Sequence, residues 1–183
     1  MDSIYLDTIP KDSLKKKNKK IKNPCESLAL IIKNLQSGTE DTIFNIKEYT
    51  FATDFPKLAY TQCSGDSVAK YNVVIRDLAT KIETTVQNNL HSVTQMNFDK
   101  KGKHFAFLGL EQKSEAKQKP FTLYLKTAND TIANALTSKI SEIKPSDWVI
   151  SSDKQITWSE TGQRMFFGLS PILPIKDTTL LDD

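Results

Sequence analysis

No stretch of the 183-residue sequence reaches the ~18 consecutive apolar residues that a membrane-spanning helix requires. The first thirty residues hold no apolar signal core, because KKKNKKIKNP fills residues 15–24. Neither a membrane span nor an export address is expected. Cysteine is scarce: Cys25 and Cys63 form no CxxC pair and have no neighbouring histidines to complete a metal site. Buried, unreacted thiols are the expectation, with a single Cys25–Cys63 bridge as the alternative. Histidine is limited to His91 and His104, and no DxDxDG spacing marks a calcium loop.

What is present is an ordinary globular balance. Apolar residues make up 38% and charged residues 26% of the chain, which argues against disorder throughout. The net charge is +3, but seven lysines against Asp12 in residues 11–22 give +6 locally and leave the body at −3. Phosphate binding needs basic groups spread over a folded face, so no nucleic-acid partner is expected. The lysine run reads as a solvated lead within a polar segment, residues 1–27.

An internal repeat organises the rest. Residues 51–60 (FATDFPKLAY), 98–107 (FDKKGKHFAF) and 158–167 (WSETGQRMFF) share an aromatic at the first and tenth positions around a polar turn. Between them, residues 30–43 (LIIKNLQSGTEDTI), 73–86 (VVIRDLATKIETTV) and 123–136 (LYLKTANDTIANAL) run from apolar residues through Lys or Arg and a polar turn into a second apolar strand. Glycine-centred turns beside β-branched and aromatic runs predict hairpins. The turns ATKIE and ANDTI lack glycine and are expected to use Asn129 or a longer loop. Helical spacing of Ile132, Leu136, Ile140 and Ile143 predicts a short helix or helical turn in 132–143. The long connection 137–154 is expected to pack on the sheet through Trp148.

Four short antiparallel strands per ~45 residues is the pattern of a propeller blade, whose sheet is buried on both faces. The expected fold class is all-β: a partial β-propeller of antiparallel four-stranded blades, two full and two half. The divisions are 28–43 (half blade), 47–86 (blade), 92–136 (blade), 137–154 (insertion), 155–169 (half blade) and a tail, 170–183. Phe51, Tyr60, Phe98, Phe107, Trp158 and Phe167 are expected to fill the spaces between blades. An open arc exposes strand edges, so self-association is a further expectation.

WSETGQRMFFGLSPI resembles the FSxDGKxLxFG pattern of TolB-like propeller repeats and of the N-terminal propellers of prolyl oligopeptidase family serine peptidases. With DWVISSDKQITWS before it, the C-terminal part is most similar to large bacterial members of that family, and the likeness extends more loosely over residues 28–182. FATDFPKLAY departs from the pattern in having no turn glycine. The resemblance implies a propeller that restricts peptide access to a separate α/β-hydrolase domain, an exported parent protein, and partners in the remaining blades, that domain and the peptide substrate.

None of that family's catalytic residues can be placed here. The GxSxG elbow has only a broken echo at Gly168, Leu169 and Ser170, since Pro171 and Ile172 follow, and Ser170 reads as a loop residue. His91 and His104 lack an evident carboxylate partner and nucleophile. Asp54, Asp99 and Asp153 read as turn residues. No catalytic, cofactor-binding or metal residues are expected. The functional expectation is a non-catalytic propeller segment that gates or selects peptides, with a TolB-like protein-interaction scaffold as the alternative.

Overall fold

Alternation of apolar and polar side chains, with turns at the repeat boundaries, produces strands almost throughout. A computed structural model of the chain describes Cys25, residues 28–65 and residues 67–173. The lysine run and most of the tail lie outside the described residues. Strands β1 (Leu28–Lys33), β2 (Glu40–Phe51), β3 (Lys57–Ser64), β4 (Lys70–Asp77) and β5 (Glu83–Leu90) form one antiparallel sheet in sequential order. A second contains β6 (Ser92–Phe98), β7 (Phe105–Leu110), β8 (Thr122–Lys126) and β9 (Asn134–Ala135). After helix α1 (Thr137–Ile143), β10 (Trp148–Ser151) pairs with β13 (Gly168–Pro171), and β11 (Thr157–Trp158) with β12 (Met165–Phe166).

The repeat is written in the strand registers. In the aromatic unit the first residue pairs with the eighth each time: Phe51 with Leu58, Phe98 with Phe105, Trp158 with Met165. In the second unit the third pairs with the twelfth: Ile32 with Asp41, Ile75 with Thr84, Leu125 with Asn134. Because side chains alternate with period two, equal registers send equivalent positions to the same face of each sheet.

Those faces stack. Leu58, Tyr60 and Val74 point to one side of the first sheet, into a core with Ile43 and Ile46. Ala59 and Val73 point to the other, against Phe98, Phe105, Phe107 and Tyr124 of the second sheet. The opposite face of that sheet, with Ala106, Leu108 and Leu123, meets Ile150 and Ile156 of the β10–β13 segment and Ile140 of α1. Three apolar interfaces thus join four layers.

Strand β2 does not break between the half blade expected at 28–43 and the blade expected from 47. Its partner changes instead: Ile46 is the last residue opposite β1 and the first opposite β3. Asn45 there has φ 62°, and the ladder is irregular on both sides. The strand bends, so the β1 hairpin folds over β3 and β4 and forms its own layer, with Leu30 and Ile32 packed on the first core.

A disulfide and ion pairs to Asp41, one of them from Lys81 at 3.4 Å, hold this layer down. Cys25 and Cys63 form a disulfide, Cα atoms 5.4 Å apart. The expectation of unreacted thiols is therefore corrected: the folded-over hairpin brings the start of β1 onto β3, within bridging distance. The second link is Arg76 on β4, nearly buried, whose guanidinium donates to Asp41 of the folded hairpin (2.5 Å) and to Glu83 of β5 (3.1 Å). Its Nε has no partner among the described residues. Arg76→Met is expected to cost about 2 kcal/mol, below the ~3–5 kcal/mol for breaking a fully buried pair, because both carboxylates stay part-exposed. A lowered urea midpoint with unchanged slope would show it.

The turns correct two expectations. Asn34 and Asp77 each accept two backbone N–H bonds at 2.9 Å through a side-chain oxygen. Where the first turn then places Gly38 at φ 72°, the second places Lys81 at φ 62°, so ATKIE closes at the same length without glycine. ANDTI is held by Asp130, which accepts from the Thr127 N–H (2.8 Å) and hydroxyl (2.7 Å), not by Asn129. In the aromatic unit, a Cβ on Gly162 (φ 72°) would lie 2.5 Å from the buried Asp99 carboxylate. Gly162→Ala combines backbone strain with this clash and is expected to cost about 2 kcal/mol, read as a lower thermal midpoint.

The stretch expected as an insertion, 137–154, contributes a strand. The helix covers only its start, and Trp148 opens β10 opposite Pro171 rather than merely anchoring a loop. Ser170, expected in a loop, lies on β13 opposite Val149. From Ser151–Gly168 the pairing resumes at Thr157–Phe166, so the last layer is one hairpin from Trp148 to Pro171 with residues 152–156 looped out. Apolar Ile150, Ile156 and Leu169 facing the third core favour this arrangement. Of the six repeat aromatics, five pack into cores. Phe51 does not: it is 66% exposed, because among the described residues no strands cover that part of β2.

Candidate functional site: a cleft where first strands converge

Each layer after the first begins with a strand on the same side of the stack, and these strands are tied together. A bulge in β6 between Thr94 and Asn97 sets Gln95 at φ 57°. Its amide then donates to the Ser152 carbonyl and accepts from the Ile156 N–H (3.2 Å). Asn97 Nδ2 donates to the Ile156 carbonyl (2.8 Å), and Trp158 Nε1 to the Asn97 carbonyl (3.4 Å). The looped-out residues 152–156 thus supply backbone groups to the preceding layer.

Below these contacts is an open cleft of about 650 Å³. It is lined by Lys47 and Glu48 of β2, Ser92 to Thr94 of β6, and Ile150 to Asp153 at the end of β10. The β7–β8 loop closes one side with Lys117, Gln118 and Lys119. Gln118 fixes that loop to the last layer, donating to Ser170 Oγ and the Pro171 carbonyl (both 2.9 Å) and accepting from the Leu173 N–H (3.0 Å). Partial burial raises the pKa of Glu48, and the Lys47 ammonium opposes the shift. The cleft is lined by serine and threonine hydroxyls, by the ammonium groups of Lys47, Lys117 and Lys119 and by the carboxylates of Glu48 and Asp153, a mixed lining suited to the alternating polar groups of an extended chain rather than to a phosphate cage.

The remaining residues singled out in sequence are dispersed. Asp99 is buried and accepts the His104 N–H (2.8 Å), while its Oδ2 lies 3.4 Å from His104 Nδ1. His104 therefore has a carboxylate neighbour, which sequence reasoning denied it; the five-residue spacing across the turn was the available signal. The ring stacks on Trp158 at 5.6 Å, with no nucleophile placed against it in the described contacts. His91 lies away from this pair, its pKa lowered by desolvation and by Lys70 and Lys113. Asp54 bonds through its N–H to the Lys100 carbonyl (3.0 Å), and Asp153 through its N–H to Ser151 Oγ (3.1 Å). Both serve turns.

No family model matches the sequence, and no curated protein matches it. Among solved structures, the chain is similar to the β-propeller domain of the Trilobed protease from Pyrococcus furiosus, described as having an open velcro topology. The TM-score is 0.49 at 12% identity, over 67% of this chain and 36% of that one. This chain thus spans little more than a third of that structure. Stacked four-strand sheets buried on both faces, with first strands converging on one cleft, characterise the architecture independently.

The fold is a partial β-propeller.

In this propeller the turns of the aromatic units also align from layer to layer. Lys100 in one lies 4.0 Å from Asp54 in the turn before it and 3.9 Å from Glu160 in the turn after it. These exposed pairs contribute little energy. Together with the Asp54–Lys100 backbone bond they link the three turns in succession.

Proposed function

We propose that this chain is a non-catalytic propeller segment of a prolyl oligopeptidase-like serine peptidase, in which it selects or gates peptides for a separate hydrolase domain. The observation that carries the reading is the cleft at the convergence of β2, β6 and β10. An extended peptide presents backbone carbonyls and a terminal carboxylate, and the Ser92, Ser151 and Ser152 hydroxyls with Lys117 and Lys119 are the complementary groups. The family resemblance of WSETGQRMFFGLSPI supports the same reading. In this reading hydrolysis belongs to the separate domain, as the family resemblance implies.

The test uses a dye-labelled, proline-containing peptide with a free C-terminus, followed by fluorescence anisotropy, beside a fluorogenic prolyl-peptide assay. Weak binding is expected, reduced about fivefold or more by the double substitution Lys117→Glu and Lys119→Glu, without hydrolysis. Absence of binding, or binding indifferent to that substitution, would overturn the gating role. Hydrolysis by the purified chain would overturn the assignment of chemistry elsewhere.

A further inference from the structure

The cleft adjoins a second hollow. Lys47, Ser92 and Lys119 line both, and the hollow encloses about 370 Å³. Strand ends gather around it: β4 begins at Lys70, β5 stops at Leu90, β6 starts at Ser92 and β7 ends at Leu110. Tyr71, packed against the core between the first two sheets, and the buried Leu110 give the hollow an apolar part. His91, the single residue between β5 and β6, is fixed by its N–H, which donates to the Leu110 carbonyl (2.7 Å).

The charges of the two spaces differ. In the cleft, Glu48 and Asp153 offset two of three lysines. In the hollow, the ammonium groups of Lys47, Lys113 and Lys119 meet one carboxylate, Glu115. Lys113 pairs with it at 2.6 Å, and the Glu115 pKa is lowered by that hydrogen bond and charge and, further off, by Lys119, so one carboxylate is shared between two ammonium groups. The Lys113–Glu115 pair is exposed on both sides, where water screens it and holds neither side chain firmly. The Lys47 ammonium lies over the Tyr71 ring, 4.8 Å from its centroid. At the wall, the His91 pKa is lowered by desolvation first and then by repulsion from Lys70 and Lys113, the response of an imidazole in a positive field.

We propose that this hollow is a subsite for an acidic side chain of the peptide that lies in the cleft. The proposal deepens the peptide reading of the cleft and rests on it. A glutamate entering past Lys47 and Lys119 sets its methylene groups against Tyr71 and Leu110 and its carboxylate among the ammonium groups. It replaces Glu115 as the partner of Lys113 and offsets the surplus charge that His91 senses. An isosteric glutamine covers the same apolar atoms and leaves that charge in place, so the difference between the two residues isolates the electrostatic contribution.

The test is a set of dye-labelled, proline-containing peptides with a free C-terminus, in which a single glutamate is moved position by position and each peptide is matched by its glutamine counterpart. Fluorescence anisotropy on the full chain is expected to show, at a particular position, about fivefold or tighter binding of the glutamate peptide. Lys113→Glu, at a side chain 72% exposed and outside the cleft, should remove that preference. Lys103→Glu makes the same change of charge at an exposed position in the β6–β7 turn, at the other end of β6 from Ser92, and should retain it. A preference equal at every position, or weakened as much by Lys103→Glu as by Lys113→Glu, would reduce the effect to net charge and overturn the subsite. Equal binding within every glutamate–glutamine pair would overturn the subsite and leave the peptide cleft standing. Failure of every peptide to bind would overturn both.

Discussion

Replacing Phe107 with alanine is expected to lower the unfolding free energy by about 4 kcal/mol, within the ~3–5 kcal/mol typical of deleting a buried phenylalanine. The side chain is 0% exposed. Its ring stacks on Tyr124 at a centroid distance of 5.0 Å and lies 5.6 Å from that of Phe105. Phe107 stands on a central strand and projects into the core between the first and second sheets, so both layers lose contacts. Sheets held at fixed spacing by their own ladders cannot close fully over the void, and the cavity cost adds to the lost transfer energy. Urea denaturation by tryptophan fluorescence and by circular dichroism checks the prediction. The control is Leu35→Ala, at an exposed position in the β1–β2 turn, expected to stay within about 0.5 kcal/mol of the parent. A Phe107→Ala chain as stable as that control would mean that the two sheets do not share this core.

Reducing the disulfide, or substituting Cys63→Ser, is expected to cost about 4 kcal/mol. The bridge closes a sequence separation of 38 residues, and loop-closure entropy for that length gives this magnitude. The loss should be uneven. Cys25 and Cys63 clamp the folded-over hairpin onto β3, and Asp41 ties it to the same sheet through Arg76 and, at 3.4 Å, through Lys81. Amide exchange after reduction should therefore accelerate first in residues 28–46 and least in 105–110, whose strand is buried along its whole length. Uniform acceleration would mean that the bridge stabilises the whole arc rather than its first layer. The combination Cys63→Ser with Arg76→Met should be more damaging than the sum of the two, since each removes a principal restraint that the other leaves in place and the exposed Lys81–Asp41 pair holds little by itself.

The same residues show where sequence reasoning reached and where it stopped. The period of the repeat was legible because it is carried by side chains whose role is local: aromatics that flank a turn, a glycine inside it, and Lys or Arg at the end of a strand. Local pairing then follows, and the registers Phe98–Phe105 and Ile75–Thr84 are the repeat expressed as hydrogen bonds. The bridge was not legible. Cys25 precedes β1 and Cys63 lies on β3, and their proximity depends on β2 bending at Asn45, a residue with no conspicuous reason in sequence to adopt φ 62°. Phe51 illustrates the same limit, since its pattern matches that of buried Phe98, yet among the described residues no strand pair covers it.

The candidate site divides likewise. The lysines at 117 and 119 and the serines at 92, 151 and 152 carry no motif, because they come from two layers and a loop; only the convergence of β2, β6 and β10 places them on one cleft. The Asp99–His104 contact could have been anticipated from the hairpin turn, but whether a nucleophile faced the ring could not. By itself the sequence determined the all-β class, the four-strand period and the registers within hairpins, because these depend on interactions between residues close in the chain. The tertiary structure alone decided the disulfide, the bend in β2, the layer that Arg76 clamps and the cleft. Those depend on how one sheet lies on the next, and stacking brings together side chains whose separation in sequence carries no signal of their contact.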